Sequence, residues 1–225
     1  MRRWKELTNE ELFADQKTIA WELIARYDYP FEVLPYIGEF ILMLGESLPE
    51  ELFERRNDDI WVARSASVAT SAEIYGPAII DEEAEVRHCA FLRGNAIVGK
   101  GAVVGNSTEL KNVILFDGVQ VPHYNYVGDS ILGYKSHMGA GSITSNVKSD
   151  KTPVTIRVGE EQVETGRKKM GAALGSFVEV GCGSILNPGP VIGSRTNVYP
   201  LSSVRGYVPG GSIYKRQGEV VGKRE

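Results

Sequence analysis

The chain has 225 residues, 42% of them apolar, enough to bury a sizeable core as one large domain or one domain with an appendage. Its formal net charge of −4 excludes a broad basic face for nucleic acid, so any anionic ligand must meet a local cluster of Lys and Arg. Two cysteines, Cys89 and Cys182, are too few for a disulfide framework and read as free thiols of a reducing cytoplasm. Charged, polar sequence succeeds Met1-Arg-Arg, so no signal peptide is expected, and the apolar run 36–44 is too short to span a bilayer.

Residues 1–58 predict a helical segment. Thr8 with Glu11 three places on is a capping box, opening a run through Arg26. Leu12, Phe13, Ile19, Ala20, Leu23 and Ile24 give that run an apolar stripe. Tyr29-Pro30 ends it, 31–48 predicts a second helix, and Pro49-Glu50-Glu51-Leu52 a third, short one. An amphipathic segment needs a surface to cover. The expectation is a cap over the open first coil of the domain C-terminal to it; the other use is a docking element or part of a ligand site.

From residue 62 a branched aliphatic recurs every sixth place: Val62, Val68, Ile74, Ile80, Val86, Leu92, Val98, Val104. Four places after each stands a small residue, from Ala66 to Thr108. Period six fits neither a plain helix nor an alternating strand; it fits a parallel β-helix. Three hexads make one coil, so residues 18 apart stack at strand spacing, roughly 4.8 Å. From 110 the frame slips twice, at 110–114 and 127–131. Residues 144–170 break it with a segment that predicts a hairpin around Gly159-Glu160, with Arg167, Lys168 and Lys169 after it. Such a loop is expected to act as a lid or a subunit contact, the other reading being a tolerated insertion without a role. Hexads resume from Leu174 to Val208, Pro209-Gly210-Gly211 stops them, and 210–225, with Lys215, Arg216, Lys223 and Arg224, predicts an extended, partly disordered tail. The domain plan is therefore 1–58 helical, 59–209 β-helix with an inserted loop, 210–225 tail.

Chemistry-bearing residues fall in and around the slipped coils. Arg93 and Lys111 are 18 apart and should stack on one face, either as a clamp for an anion such as phosphate or as two solvated surface cations. His123, in Val121-Pro-His-Tyr-Asn-Tyr-Val-Gly-Asp129, is the residue type that suits a general base; the other reading is a plain surface histidine on a coil corner.

The block 109–146, with Glu109-Leu-Lys-Asn, Val121-Pro-His-Tyr-Asn-Tyr-Val-Gly-Asp-Ser and Gly139-Ala-Gly-Ser-Ile-Thr-Ser-Asn146, resembles the C-terminal glucosamine-1-phosphate N-acetyltransferase domain of the bifunctional bacterial enzyme that makes UDP-N-acetylglucosamine. Archaeal sugar-nucleotide enzymes of the same build are similar. The resemblance covers about 62–209 and implies an all-β solenoid, a left-handed parallel β-helix of hexapeptide repeats, behind the N-terminal α-helical segment. It places the catalytic base on His123, the phosphate- and sugar-binding residues on Arg93, Lys111 and Tyr126, and a sugar-contacting asparagine on Asn146. His137 stands where the family usually has Asn. Cys182 falls near a serine that lies against the coenzyme, and Lys215 or Arg216 lies closest to a basic residue on the coenzyme tail.

The implied reaction is direct transfer of acetyl from acetyl-CoA to the 2-amino group of an amino-sugar phosphate, with no metal. Prisms of this type normally trimerise, so a homotrimer is expected, in the cytoplasm that the free cysteines suggest. Arg93 and Lys111 share a face while His123 sits one side further round, so the sites are expected to be shared between subunits. Residues 1–58 contain no Gly-rich loop after a first strand, so no pyrophosphorylase domain is expected. Two other readings stand beside this one. One is a non-catalytic trimeric scaffold that binds sugar nucleotides and partners a separate nucleotidyltransferase. The other is a zinc-dependent carbonic-anhydrase-like β-helix using His88, His123 and His137.

Overall fold

The computed structural model describes residues 3–57 and 59–223; Met1, Arg2, Asp58, Arg224 and Glu225, and the expectations that fall on them, lie outside the described residues. The hexads form a left-handed parallel β-helix with three faces. The first face runs from Ile60–Ala63 through Ala78–Ile80 and Ala96–Val98 to Ala173–Leu174, Val191–Ile192 and Tyr207–Val208. The second runs from Ser67–Val68 through Val103–Asn106, Gln120–His123 and His137–Met138 to Ser212–Arg216. The third runs from Glu73–Tyr75 through Phe91–Arg93 and Ile143–Thr144 to Ser203–Val204. Two long strands, Glu109–Leu115 and Tyr126–Leu132, belong to both the third and the first face.

Those long strands are the slipped hexads. Elsewhere the chain breaks its strand at the corner; here it passes straight through, turning at single residues in left-handed conformation, Asn112 (φ 55°) and Asp129 (φ 48°). Asn and Asp tolerate that region because a short polar side chain can bond locally. Each side thereby loses one residue, and Asn112 and Asp129 fall 17 residues apart instead of 18.

The helical segment does not cap the first coil. It lies along the first face. There the outward-pointing residues Trp61, Ile79, Ile97 and Ile114 are as buried as the inward Val62, Ile80, Val98 and Leu115. Helix Ile37–Gly45 covers this stripe with Ile37, Phe40 and Ile41, and Gly45 is needed because a Cβ would stand 2.4 Å from the Trp61 ring. Each such apolar side chain removed from water contributes roughly 1.5–3 kcal/mol. Further along, Phe13 packs on Phe116, and the Leu12 carbonyl accepts bonds from the Ser176 N–H and the Ser194 hydroxyl. The open edge of the first coil is covered instead by strand Phe53–Arg56, which pairs antiparallel with Ile60–Ala63.

The helices are shorter than the periodicity predicts. Thr8 does cap Asn9–Leu12, its hydroxyl accepting from the Glu11 N–H, but the run through Arg26 splits, with a second helix at Trp21–Ile24. Pro30 and Pro35 start Pro30–Val33 and the tight turn Leu34–Tyr36 ahead of Ile37–Gly45, and 49–52 is a turn. The segment tracks the prism wall, and contact with that wall overrides local propensity. Among the described residues, no helix is long and apolar enough to cross a membrane.

The inserted loop leaves after Asn146 and returns at Met170, whose N–H bonds the Asn146 carbonyl. Between them Thr155–Val158 and Glu161–Glu164 form an antiparallel hairpin, with Ile156 and Val163 facing inward. The hexads do not stop at Pro209. Ser212–Arg216 continues the second face by pairing with Asn197–Val198, then turns back as a hairpin with Glu219–Gly222. The expected extended tail is therefore ordered strand, because the last coil leaves a free edge that the tail can pair with.

Candidate functional site

The third face and its two edges hold most of the predicted residues. At one edge, Arg93 lies at the end of Phe91–Arg93, and the register of that strand with Glu109–Leu115 sets Lys111 beside it. The stacking is as the spacing requires, but the two cations do not wait for an anion. Arg93 Nη1 donates to Glu109 Oε1 at 2.7 Å, and Lys111 Nζ meets Asp129 Oδ1 at 2.9 Å. A bare cation clamp is thus corrected to two ion pairs. The Glu109 carboxylate raises the Arg93 pKa, which keeps the guanidinium charged.

Asp129 is the hub of this edge. Its side chain is 6% exposed, against 30% for Lys111. Besides Lys111 it accepts from Asn112 Nδ2 at 3.1 Å and from Asn146 Nδ2 at 2.6 Å. Asn112 also donates to the Leu34 carbonyl, tying the corner to the helical segment. Asn146 Nδ2 also donates to Tyr126 Oη at 3.2 Å. Tyr126 lies flat because Gly128 offers no side chain; a Cβ there would come within 2.4 Å of Oη. Burial, then the Asp129 charge, pushes the Tyr126 phenol pKa up, so it stays protonated. Since Oη already accepts from Asn146, its own proton is free to be donated to a ligand oxygen.

The other edge is a ladder of turns. Backbone bonds run from Ser107 to His88, Tyr124 to Asn106, Gly141 to His123, Gly183 to Ala140 and Leu201 to Cys182. His88, Asn106, His123, Ala140 and Cys182 therefore stand in one column, a coil apart each time. His123 is exposed at the end of Gln120–His123, and its own backbone N–H bonds Asn125 Oδ1. Cys182 is an exposed free thiol about 10 Å from it, two strand spacings along. Lys215 and Arg216 lie on Ser212–Arg216, the last parallel strand of the second face, two coils beyond Cys182, and both pair with Glu219.

His137 is the residue the structure does not bring in. It projects from the second face, where Nδ1 meets Glu179 Oε2 at 2.8 Å beside Gln120 and Lys135. Nor do the three histidines converge within one chain. His88 and His123 are two coils apart with Asn106 between, His137 is on another column, and among the described residues no group of three His, Cys, Asp or Glu could hold a metal. Two residues of the site, Asp129 and Glu109, are not singled out by the sequence pattern. The signal for Asp129 was present, an acid at the second slip, 18 residues after Lys111.

A family model described as the GMPPB C-terminal domain matches residues 74–166. A bifunctional sugar-1-phosphate nucleotidylyltransferase/acetyltransferase of Sulfurisphaera tokodaii is 29% identical over 66% of this chain and 42% of its own length. The bifunctional protein GlmU of Methanococcus aeolicus is 39% identical over 48% of this chain and 26% of its own. An uncharacterized acetyltransferase, YaiX, of Escherichia coli is 28% identical over 71% of this chain and 69% of its own. The chain resembles the C-terminal acetyltransferase domain of GlmU-type proteins. It spans less than half the length of the two bifunctional relatives it matches.

Proposed function

We propose that this chain is an acetyl-CoA-dependent N-acetyltransferase whose acceptor is the 2-amino group of an amino-sugar phosphate such as glucosamine 1-phosphate. The observation that carries the proposal is the geometry of the third face. His123 and Cys182 share one edge column, Lys111 and Arg93 lie across the face from them, and the Tyr126 ring reaches from the first side toward the second.

In this reading the coenzyme runs along the column past Ala140 and Cys182, with its phosphates toward Lys215 and Arg216. Its thioester stops near His123, which takes a proton from the acceptor amine as that amine attacks the carbonyl. The acetyl group passes to nitrogen and the thiolate leaves. Tyr126 and Asn146 orient the sugar, and Arg93 and Lys111 hold its phosphate, fixing the amine against the thioester. His123 and the cations lie at opposite edges of one face, so we place each site between two subunits of a homotrimer in the cytoplasm. His137, on the second face, would then serve only across such an interface.

The test is thiol release from acetyl-CoA against a panel of glucosamine and galactosamine phosphates. The expected result is turnover with one of them and its loss in His123→Ala. Full rate in that variant at saturating acceptor would remove His123 as the base.

A second reading has a specific observation behind it. Arg93 and Lys111 already hold Glu109 and Asp129, as they would in a protein that binds no phosphate there. That chain would be a non-catalytic partner of a separate nucleotidyltransferase, and no binding of acetyl-CoA at millimolar concentration in calorimetry would favour it.

A further inference from the structure

The edge that carries Arg93 and Lys111 continues along the prism. The register runs from Lys111 to Gly128, then through the strands of Ile143 and Ile185 to that of Ser203, which ends beside Arg205. Arg205 is thus four coils, about 19 Å, from Lys111. It lines a cavity of about 480 Å³ between the inserted hairpin and the C-terminal hairpin. That volume is in the range small-molecule sites occupy, about 300–1,000 Å³.

The lining has a one-sided composition. Lys148, Arg157 and Arg205 contribute three cations, and no carboxylate lines the cavity, in a chain with 29 acids to 25 Lys and Arg. Arg157 and Arg205 form no ion pair with any described residue, unlike Arg93 and Lys111. Lys148 leans toward Asp150 at 3.6 Å. The remaining wall holds two amides, Gln162 and Gln217, the hydroxyl residue Thr155, and ring or apolar surface, including Tyr207 and Tyr214.

The site is built rather than incidental. Arg157 and Gln162 are cross-strand partners on one face of the inserted hairpin, while Ile156 and Val163 on the other are buried. Gly206 lets the hairpin close, since a Cβ would stand 2.7 Å from the Arg157 carbonyl. Glu161 pins the hairpin from outside by accepting from Arg3 and from the Trp4 indole. On the opposite wall, Tyr214 is fixed by donating to the Ser203 carbonyl.

We propose that this cavity binds a nucleoside diphosphate, its phosphates on Arg157, Arg205 and Lys148 and its base against Tyr207 and the two glutamines, as a site separate from the transfer centre. Paired guanidinium groups without acids favour a dianion, and the ring surface with amides gives a base something to stack on and bond to. The ligand is a free nucleotide or the nucleotide end of a nucleotide sugar.

The test is calorimetric titration of the full chain with ADP, UDP, a UDP-sugar and inorganic pyrophosphate. A nucleoside diphosphate should bind, and more tightly than pyrophosphate. Arg157→Gln and Arg205→Gln, both at exposed side chains, should each weaken it at least about tenfold. Lys168→Gln, elsewhere on the insertion, should leave it unchanged. A UDP-sugar binding as well as UDP would assign the nucleotide-sugar source; rejection of the sugar would assign the free nucleotide. No binding, equal binding of pyrophosphate, or displacement of the nucleotide by acetyl-CoA would each overturn the proposal, the last by giving the cavity to the coenzyme.

Discussion

Along one edge of the third face, the buried Asp129 gathers Lys111, Asn112 and Asn146 into a part-buried network. Along the other, the His123 imidazole and the Cys182 thiol are exposed and have no hydrogen-bond partner among the described residues. The first edge already engages its cations with acids of its own, so a ligand phosphate there must compete for them. The second leaves its polar groups free and so can hold a ligand. A solenoid makes this division easy, because each corner is a separate column and can be specialised without disturbing its neighbours.

The comparison predicts different failures on substitution. His123→Ala should cut the acetyl-transfer rate by about 10²–10⁴-fold. It should leave the unfolding midpoint nearly unmoved, since a truncated exposed side chain costs at most about 0.5 kcal/mol. Parallel thiol-release and urea-denaturation measurements check both halves. A large stability loss would mean that the open edge is structural after all.

Asp129→Ala should do the reverse. It leaves Lys111, still 30% exposed, and two asparagine amides without their acceptor, and stranding such donors costs about 1–3 kcal/mol. Chemical denaturation should show the loss directly. Asp129→Asn, which keeps the shape and removes the charge, should cost less. If both variants unfolded like the parent, Asp129 would not be the hub.

The corner between the first and second faces offers a third case, an acid buried without a cation bonded to it. Burial pushes the Asp81 carboxyl up to about 6, and the Asp117 and Glu82 charges add to that against the opposing Glu82 N–H and Lys100. Its ordinary value is 3.8, so the folded state holds the proton more tightly than the unfolded. The stability from protonated Asp81 is therefore complete below pH 3.8 and is lost as pH rises through about 6. Asp81→Asn should unfold later than the parent at pH 8, by on the order of 1–3 kcal/mol, and the advantage should vanish toward pH 4. A pH-independent difference between the two proteins would reject this assignment.

The fold was legible because its signal repeats. Eight hexads in phase leave little choice, and even the two slips marked real geometry, the strands that pass through the corner at Asn112 and Asp129. The helical cover was misplaced although its address was written. Trp61, Ile79, Ile97 and Ile114 are large apolar residues at an outward position, and only a covered face tolerates that column. The layout of the candidate site was legible where spacing sufficed, at Lys111 beside Arg93 and at His123 on its corner. It was not where pairing decided, because the acids that neutralise Arg93 and Lys111 sit 16 and 18 residues further on, and that distance becomes contact only once the coil is known.

The smallest predicted effect separates the two readings of the cations. Arg93 and Glu109 are both partly exposed, so their pair adds little to stability, and Glu109→Gln should leave the unfolding midpoint where it is. The consequence for binding is larger. If Arg93 serves the acceptor phosphate, Glu109 competes with that phosphate for the same guanidinium. Removing the competitor should then lower the KM for an amino-sugar phosphate by about two- to fivefold, the scale of an exposed ion pair, with kcat unchanged. If the pair is only a surface bridge, the KM will not move. Arg93→Gln should raise the same KM, so the two substitutions pull in opposite directions only when phosphate and carboxylate share one cation.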